Sequence, residues 1–157
     1  MEITTAIDQR TLVLTRTLQA PPALVFSAWT DPGHLVHWWG PEGFTLAHCE
    51  QDLRVGGNYR FCMRAPDGTD HWVRGQYTRI DPPSRLVFTW LREDEGDIWC
   101  DTVVCVTFTA KGDSTLLTLE QTTFATVAHC EEHAYGWNQC LDRLVYFVEG
   151  STNNLER

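Results

Sequence analysis

The sequence predicts an α+β fold, with one antiparallel sheet followed by a long C-terminal helix. Three observations carry this. Between residues 44 and 123, turn residues cut the chain into short stretches of alternating apolar and polar residues, the pattern of half-buried strands joined as hairpins. The proline-free segment 126–149 then holds Cys130, Ala134, Trp137, Leu141, Leu144 and Val148 on one stripe at helical spacing. Helical patterns elsewhere are confined to one stretch near the start, whereas an α/β protein would alternate the two kinds of element throughout.

Each element can be justified in order. Residues 11–18 alternate Leu12, Leu14 and Leu18 with Val13, Thr15 and Thr17 and predict a first strand. Pro21-Pro22 ends it and suits the first turn of a helix over 23–29, which carries Val25, Phe26 and Trp29. Asp31 before Pro32 caps a second helix over 33–39, and Gly40-Pro41 closes it. Gly56-Gly57 separates a strand over 45–55 from one over 58–64. Pro66-Asp67-Gly68 then precedes 70–80, and Asp81-Pro82-Pro83 precedes 85–92. The acidic run Glu93 to Asp97 precedes 98–110, and Lys111-Gly112-Asp113 precedes 114–123. The result is seven strands, two short helices between the first and second, and a long final helix. Gly75 inside a strand marks a bulge or sharp bend. Asp52 and Arg54, two apart on one strand, share a face and can pair, which suggests a structural duty.

Composition sets the limits. The 157 residues are expected to form one domain, 1–157, with its ordered core over about 11–150. A chain of this length buries about 68–70% of its unfolded surface, enough for a core without staples. Twelve basic residues against 21 acidic leave a net charge of −9, which argues against nucleic-acid and anionic-membrane partners. No stretch reaches the roughly 18 apolar residues of a membrane span, and the first residues lack the basic start and apolar run of a signal peptide. The six cysteines are read as reduced thiols in a cytoplasmic protein.

Parity predicts what faces inward. Tyr59, Phe61, Met63, Leu86, Phe88, Trp90, Val104, Val106, Phe108, Leu117 and Leu119 fall on one face, opposite Arg60, Arg64, Thr89, Thr107 and Thr118. The parity of Trp72 and Trp99 is ambiguous. The aromatics either fill a core or line a pocket, and the bulk of rigid rings against a single helix favours the pocket. The expected lining is Trp38, Phe61, Met63, Phe88, Trp90, Val106, Phe108, Trp137 and Leu141, with only one ring of Trp38-Trp39 reaching the mouth. The expected ligand is small and hydrophobic, aromatic or acyl-like.

Other chemistries find less support. His71, Tyr77, Glu120 and His133 could act as acid or base, but no triad or nucleophile elbow joins them, so no catalytic residue is assigned and the balance is against an enzyme. His129 and His133 at i and i+4 could share an ion. Their glutamate, Glu132, stands directly before the second histidine rather than after the first, and no CxxC pair occurs, so no metal or cofactor is expected. Cys62, Cys105 and Cys140 read as packing residues.

Several motifs then carry a resemblance. Ala20-Pro21-Pro22-Ala23-Leu24-Val25-Phe26, Trp38-Trp39-Gly40-Pro41, Asp52-Leu53-Arg54-Val55-Gly56-Gly57, Pro82-Pro83-Ser84-Arg85-Leu86-Val87-Phe88 and Gly136-Trp137 with Leu141-Asp142-Arg143-Leu144 occur in the order and spacing of one family. The chain resembles the homologues of the activator of heat shock protein 90 ATPase. That resemblance implies a helix-grip fold of the START-like (SRPBCC) superfamily, in which a seven-stranded curved antiparallel sheet grips the C-terminal helix around a hydrophobic cavity. It also implies two alternatives to simple ligand binding: an enzyme of polyketide cyclase or lyase type, and a co-chaperone that regulates a heat shock protein 90 ATPase. The eponymous co-chaperone joins a similar domain to a separate N-terminal one. A strand pattern that starts by residue 11 is expected to leave no room for it, so a chaperone partner is disfavoured and the chain looks more like stand-alone bacterial members. A homodimer is left open.

Overall fold

Alternation becomes strand wherever the sequence carries it. In the computed structural model, the backbone is described for residues 3–8, 10–94 and 97–155, and side chains for 10–93 and 100–150. The strands are β1 (Ile3–Asp8), β2 (Thr11–Leu18), β3 (Thr45–Gln51), β4 (Asn58–Arg64), β5 (Asp70–Asp81), β6 (Arg85–Asp94), β7 (Asp97–Lys111) and β8 (Ser114–Thr122). The helices are α1 (Pro22–Thr30), α2 (Pro32–Leu35) and α3 (Val127–Leu155). All strands join one antiparallel sheet in the order β1-β2-β8-β7-β6-β5-β4-β3. From β3 to β8 the chain is a meander of hairpins. The connection from β2 to β3 must therefore cross the whole sheet, and α1 and α2 make that crossing on its inner face.

The seven expected strands are present, and β1 is an eighth that the sequence reading missed. It pairs with β2 from Ile3↔Arg16 to Asp8↔Thr11. Its β-branched Ile3, Thr4, Thr5 and Ile7 suit a strand, but the run carries too few large apolar residues for alternation to stand out. Three other boundaries differ. The second helix stops at Leu35, where bonds from His37 N to His34 O and Trp38 N to Leu35 O tighten the chain to three-residue turns. Strand β3 stops at Gln51, so Asp52 and Arg54 sit in the following turn; they still pair, at 2.8 Å, on the exposed surface. Helix α3 runs to Leu155, past the end expected for it near residue 149. Asp31 caps α2 as expected, its Oδ1 accepting from Gly33 N at 2.8 Å.

Gly75 serves a close approach, whereas the bulge falls two residues later, between Tyr77 and Arg79. A Cβ at position 75 would lie 1.9 Å from the Thr89 carbonyl oxygen and 2.7 Å from Cε1 of Tyr59. The missing side chain lets the Tyr59 ring cross the strand, and its hydroxyl donates to Thr89 O at 2.6 Å. One sequence expectation is thus corrected in its cause and kept in its location.

The inner face follows parity. Every residue placed inward above is buried, as is the α3 stripe from Cys130 to Val148. Trp29 of α1 is the hub of the packing, with ring centroids 4.8 Å from Trp38, 6.0 Å from Trp39 and Trp137, and 6.4 Å from Phe108. Arg16 shares the inward parity of Leu14 and Leu18 and is buried, a costly place for a cation unless its donors are satisfied. They are: it donates to Asn138 O and Oδ1 and to Thr15 O and meets Asp142, which pins α3 onto β2. Trp72 faces outward, with the Arg60 guanidinium 3.8 Å from its ring centroid. The Trp99 side chain lies outside the described residues.

Candidate ligand cavity

The helices cover the inner face unevenly. Helix α1 lies over β7 and β8 and beside α3, while α3 packs on β2. Toward β4, β5 and β6 only the loop after α2 and the first turns of α3 close the sheet, and between them lies a cavity of about 500 Å³. Its walls are Trp39 to Glu42 and Phe44 of the loop, Met63 of β4, His71 of β5, Trp90 and Arg92 of β6, and residues between Glu132 and Cys140 along one side of α3. Arg143 ties that loop to α3 by donating to the carbonyls of Gly40, Pro41 and Phe44 at 2.8, 3.0 and 3.2 Å.

Of the nine expected lining residues, Met63, Trp90 and Trp137 face this space. Trp38, Phe61, Phe88, Val106, Phe108 and Leu141 do not; they are buried in the packed core. The reason is α1. Phe26 packs edge-on against Phe108 at 5.5 Å, and Trp29 lies 6.5 Å from Phe88, so the rings of α1 occupy the volume that those residues would have enclosed. Of the tryptophan pair, Trp39 takes the cavity wall, 5.1 Å from the Phe61 ring, while the Trp38 indole N–H donates to Ala28 O at 3.0 Å inside the core. The expectation of one ring at the mouth holds, with the other tryptophan in that place.

The end of the inner face nearest the cavity is polar. Gln121 of β8, Thr102 of β7, Arg92 of β6 and His71 of β5 each occupy an inward position. Register staggers them by two residues per strand: Gln121 pairs with Val104, Thr102 with Trp90, and Arg92 with Val73. They form a diagonal stripe of polar groups across four strands. The sequence reading did not reach Arg92, Gln121 or Thr102. The signal available was the alternation itself, because Arg92 continues Leu86-Phe88-Trp90 and Gln121 continues Leu117-Leu119.

A hydrogen-bond chain fixes Trp90 and Trp137, two of the three tryptophans of the wall. The Trp137 indole donates to Gln121 Oε1 at 2.8 Å, and Gln121 Nε2 donates to Thr102 Oγ1 at 2.8 Å. The Trp90 indole donates to His133 Nε2 at 3.2 Å, and His133 Nδ1 donates to His129 O at 2.9 Å. His133 is therefore held as the neutral Nδ1–H tautomer. Burial is the main cause that pushes its pKa down to about 4, and the nearby Arg92 charge adds to it. Cys100 Sγ lies 3.9 Å from His133 Nε2, but burial raises its pKa, so the pair rests as thiol and neutral imidazole rather than as an activated thiolate. Of the other acid–base candidates, His71 is on the wall and two lie elsewhere. Tyr77 is buried away from the cavity, its hydroxyl accepting from Gln51 Nε2 and its pKa raised to about 12 by burial, and Glu120 is exposed on the outer face. His133 turns toward His129's backbone, and no group of three metal-ligating side chains occurs among the described residues.

A curved antiparallel sheet closed on one long helix, with a cavity at one end of the grip, defines a helix-grip protein of the START-like class. Within that class the chain belongs to the family of activator of Hsp90 ATPase homolog 1-like proteins, which matches residues 19–149. No curated protein matches the chain. Among solved structures, a protein of Chromobacterium violaceum is 32% identical, with a TM-score of 0.80 over 89% of this chain and 97% of that one. The AHSA1 protein of Silicibacter pomeroyi is 27% identical, with a TM-score of 0.79 over 94% and 99%. A protein of Arthrobacter aurescens shares the fold at 22% identity, with a TM-score of 0.83 over 94% and 91%.

Proposed function

We propose that the chain binds a small hydrophobic ligand with an aromatic body in this cavity. The observation that carries the reading is the wall: about 500 Å³ of space faced by Trp39, Trp90 and Trp137, within the range of roughly 300–1,000 Å³ typical of small-molecule sites. Gly136 adds support. It sits inside α3 on the cavity wall, where glycine destabilises a helix by roughly 1 kcal/mol relative to alanine. Packing does not demand it, since a Cβ there would meet only Pro41 Cγ at an ordinary 3.7 Å. Leaving the space open accounts for it. The six cysteines are all free, which supports a reduced, cytoplasmic setting. We read the chain as one domain acting without nucleic acid or membrane, in keeping with its net charge of −9. No helix among the described residues is long and apolar enough to cross a membrane.

The test is native mass spectrometry of freshly purified protein, for a retained small molecule, beside fluorescence titration with N-phenyl-1-naphthylamine. The variant Gly136→Phe fills the mouth while replacing the poorest helix residue but proline. Saturable binding by the native protein, weakened at least about tenfold (roughly 1.4 kcal/mol) in the variant, is expected. Equal binding by both proteins, or no binding by the native one, refutes the reading.

A further inference from the structure

The cavity is not uniformly apolar, and its polarity has a direction. Resting on the ligand-binding reading, the geometry points to a ligand whose aromatic body carries an anionic head (carboxylate, sulfonate or phosphate) gripped by Arg92 and His71. Both residues stand on the inner face of the sheet and on the cavity wall. Arg92 pairs with Val73, two residues from His71, so the two are diagonal neighbours across β5 and β6, separated by roughly 7–8 Å at the backbone and within joint reach of one head group. The rings of Trp39, Trp90 and Trp137 share the wall with them, Trp90 two residues before Arg92 on the same strand. A flat ligand lying against those rings presents its edge to the two basic side chains.

Competing charges on the wall favour the same orientation. Glu42 and Glu132 also border the cavity, but both side chains are exposed at its rim, where water screens them. Arg92 and His71 are half-buried, where a charge-assisted hydrogen bond is stronger. A guanidinium carries five N–H donors in a planar fork, enough to hold a protein neighbour and a ligand oxygen at once. An inward arginine after Leu86, Phe88 and Trp90 breaks an apolar row, and a ligand anion gives that break a use.

Three probes that share one ring system test this: 2-naphthoate, its neutral methyl ester and 2-naphthylmethylammonium, each titrated at neutral pH by tryptophan quenching and calorimetry. The native protein is expected to bind the acid about tenfold tighter than the ester, the effect of roughly 1.4 kcal/mol, and the ammonium most weakly. The preference should shrink in high salt, disappear in Arg92→Gln and survive in part in Arg92→Lys. The comparison among probes on the native protein needs no variant, so it stands even if Arg92→Gln folds poorly. Equal binding of acid and ester overturns the anionic head while the cavity reading survives. Preference for the ammonium also overturns it and gives the head group to Glu42 and Glu132. Failure of all three probes overturns both readings.

Discussion

The chain of hydrogen bonds behind the tryptophan wall makes a quantitative prediction at Gln121. This residue is fully buried, accepts from the Trp137 indole and donates to Thr102, both at 2.8 Å. Gln121→Met keeps the length and nearly the volume of the side chain but removes both bonds. Thr102 keeps a longer bond to Trp90 O at 3.4 Å, whereas the Trp137 N–H loses its acceptor. A buried donor left without a partner costs about 1–3 kcal/mol, so a loss of about 2 kcal/mol is expected. For a chain of this size that lowers Tm by about 4–8 °C. Urea unfolding followed by far-UV circular dichroism measures it, with m unchanged. The companion Trp137→Phe removes the donor instead. If the orphaned N–H is the cause, the double variant should lose less than the sum of the singles by about 1–2 kcal/mol. Strict additivity, or a single-variant loss under about 0.5 kcal/mol, would refute the reasoning.

Two further outcomes follow from the same packing. Gly75→Ala drives a Cβ to 1.9 Å from a backbone oxygen, which nothing flexible can relieve, so a loss of about 3 kcal/mol or more is expected by urea unfolding; a variant within about 1 kcal/mol of native contradicts the close-approach account. His133 makes stability depend on pH. Its folded pKa of about 4 lies below the unfolded value of 6.5, so below that value the unfolded state binds more protons and stability falls as pH drops. The loss begins near pH 6.5, proceeds at up to about 1.4 kcal/mol per pH unit and levels off near pH 4, for a total of about 3 kcal/mol. Urea midpoints across that window, compared with those of His133→Gln, check it; an unchanged slope in the variant sinks the assignment.

Much of the fold was legible because alternation and turn chemistry agree along most of the chain. Pro21-Pro22, Gly56-Gly57 and Lys111-Gly112-Asp113 each cut the sequence where the structure turns. The failures are equally physical. Strand β1 was missed because its apolar signal is short, and its existence rests on the edge that β2 offers it. The second helix was drawn too long because Leu35, Trp38 and Trp39 are apolar at helical spacing. All three are buried, Leu35 in the last turn of α2 and the two tryptophans in the tightened turns after it rather than in helix.

The cavity was legible in kind and misplaced along the strands, and the reason bears on how such sites can be read. Parity assigns a side chain to a face but says nothing about what lies over that face at each level. Phe88, Trp90 and Arg92 are equivalent by parity, and only the position of α1 separates them: Trp29 packs near Phe88, while Trp90 and Arg92 border open space. Alternation is noticed through its apolar members, so the reading of β6 stopped at Trp90 and that of β8 at Leu119. Beyond those points the inward rows continue as Arg92 and Gln121, joined by Thr102 and His71 along one diagonal. A single polar residue in an inward row is an isolated expense to the core. Four on adjacent strands, offset by two residues each, mark the edge of the apolar core: Gln121 and Thr102 are buried and hydrogen-bonded to each other, while Arg92 and His71 reach the cavity wall. The wall of the site was thus written in the sequence as the place where the hydrophobic pattern fails on several strands together, and finding it requires the register that only the folded sheet supplies.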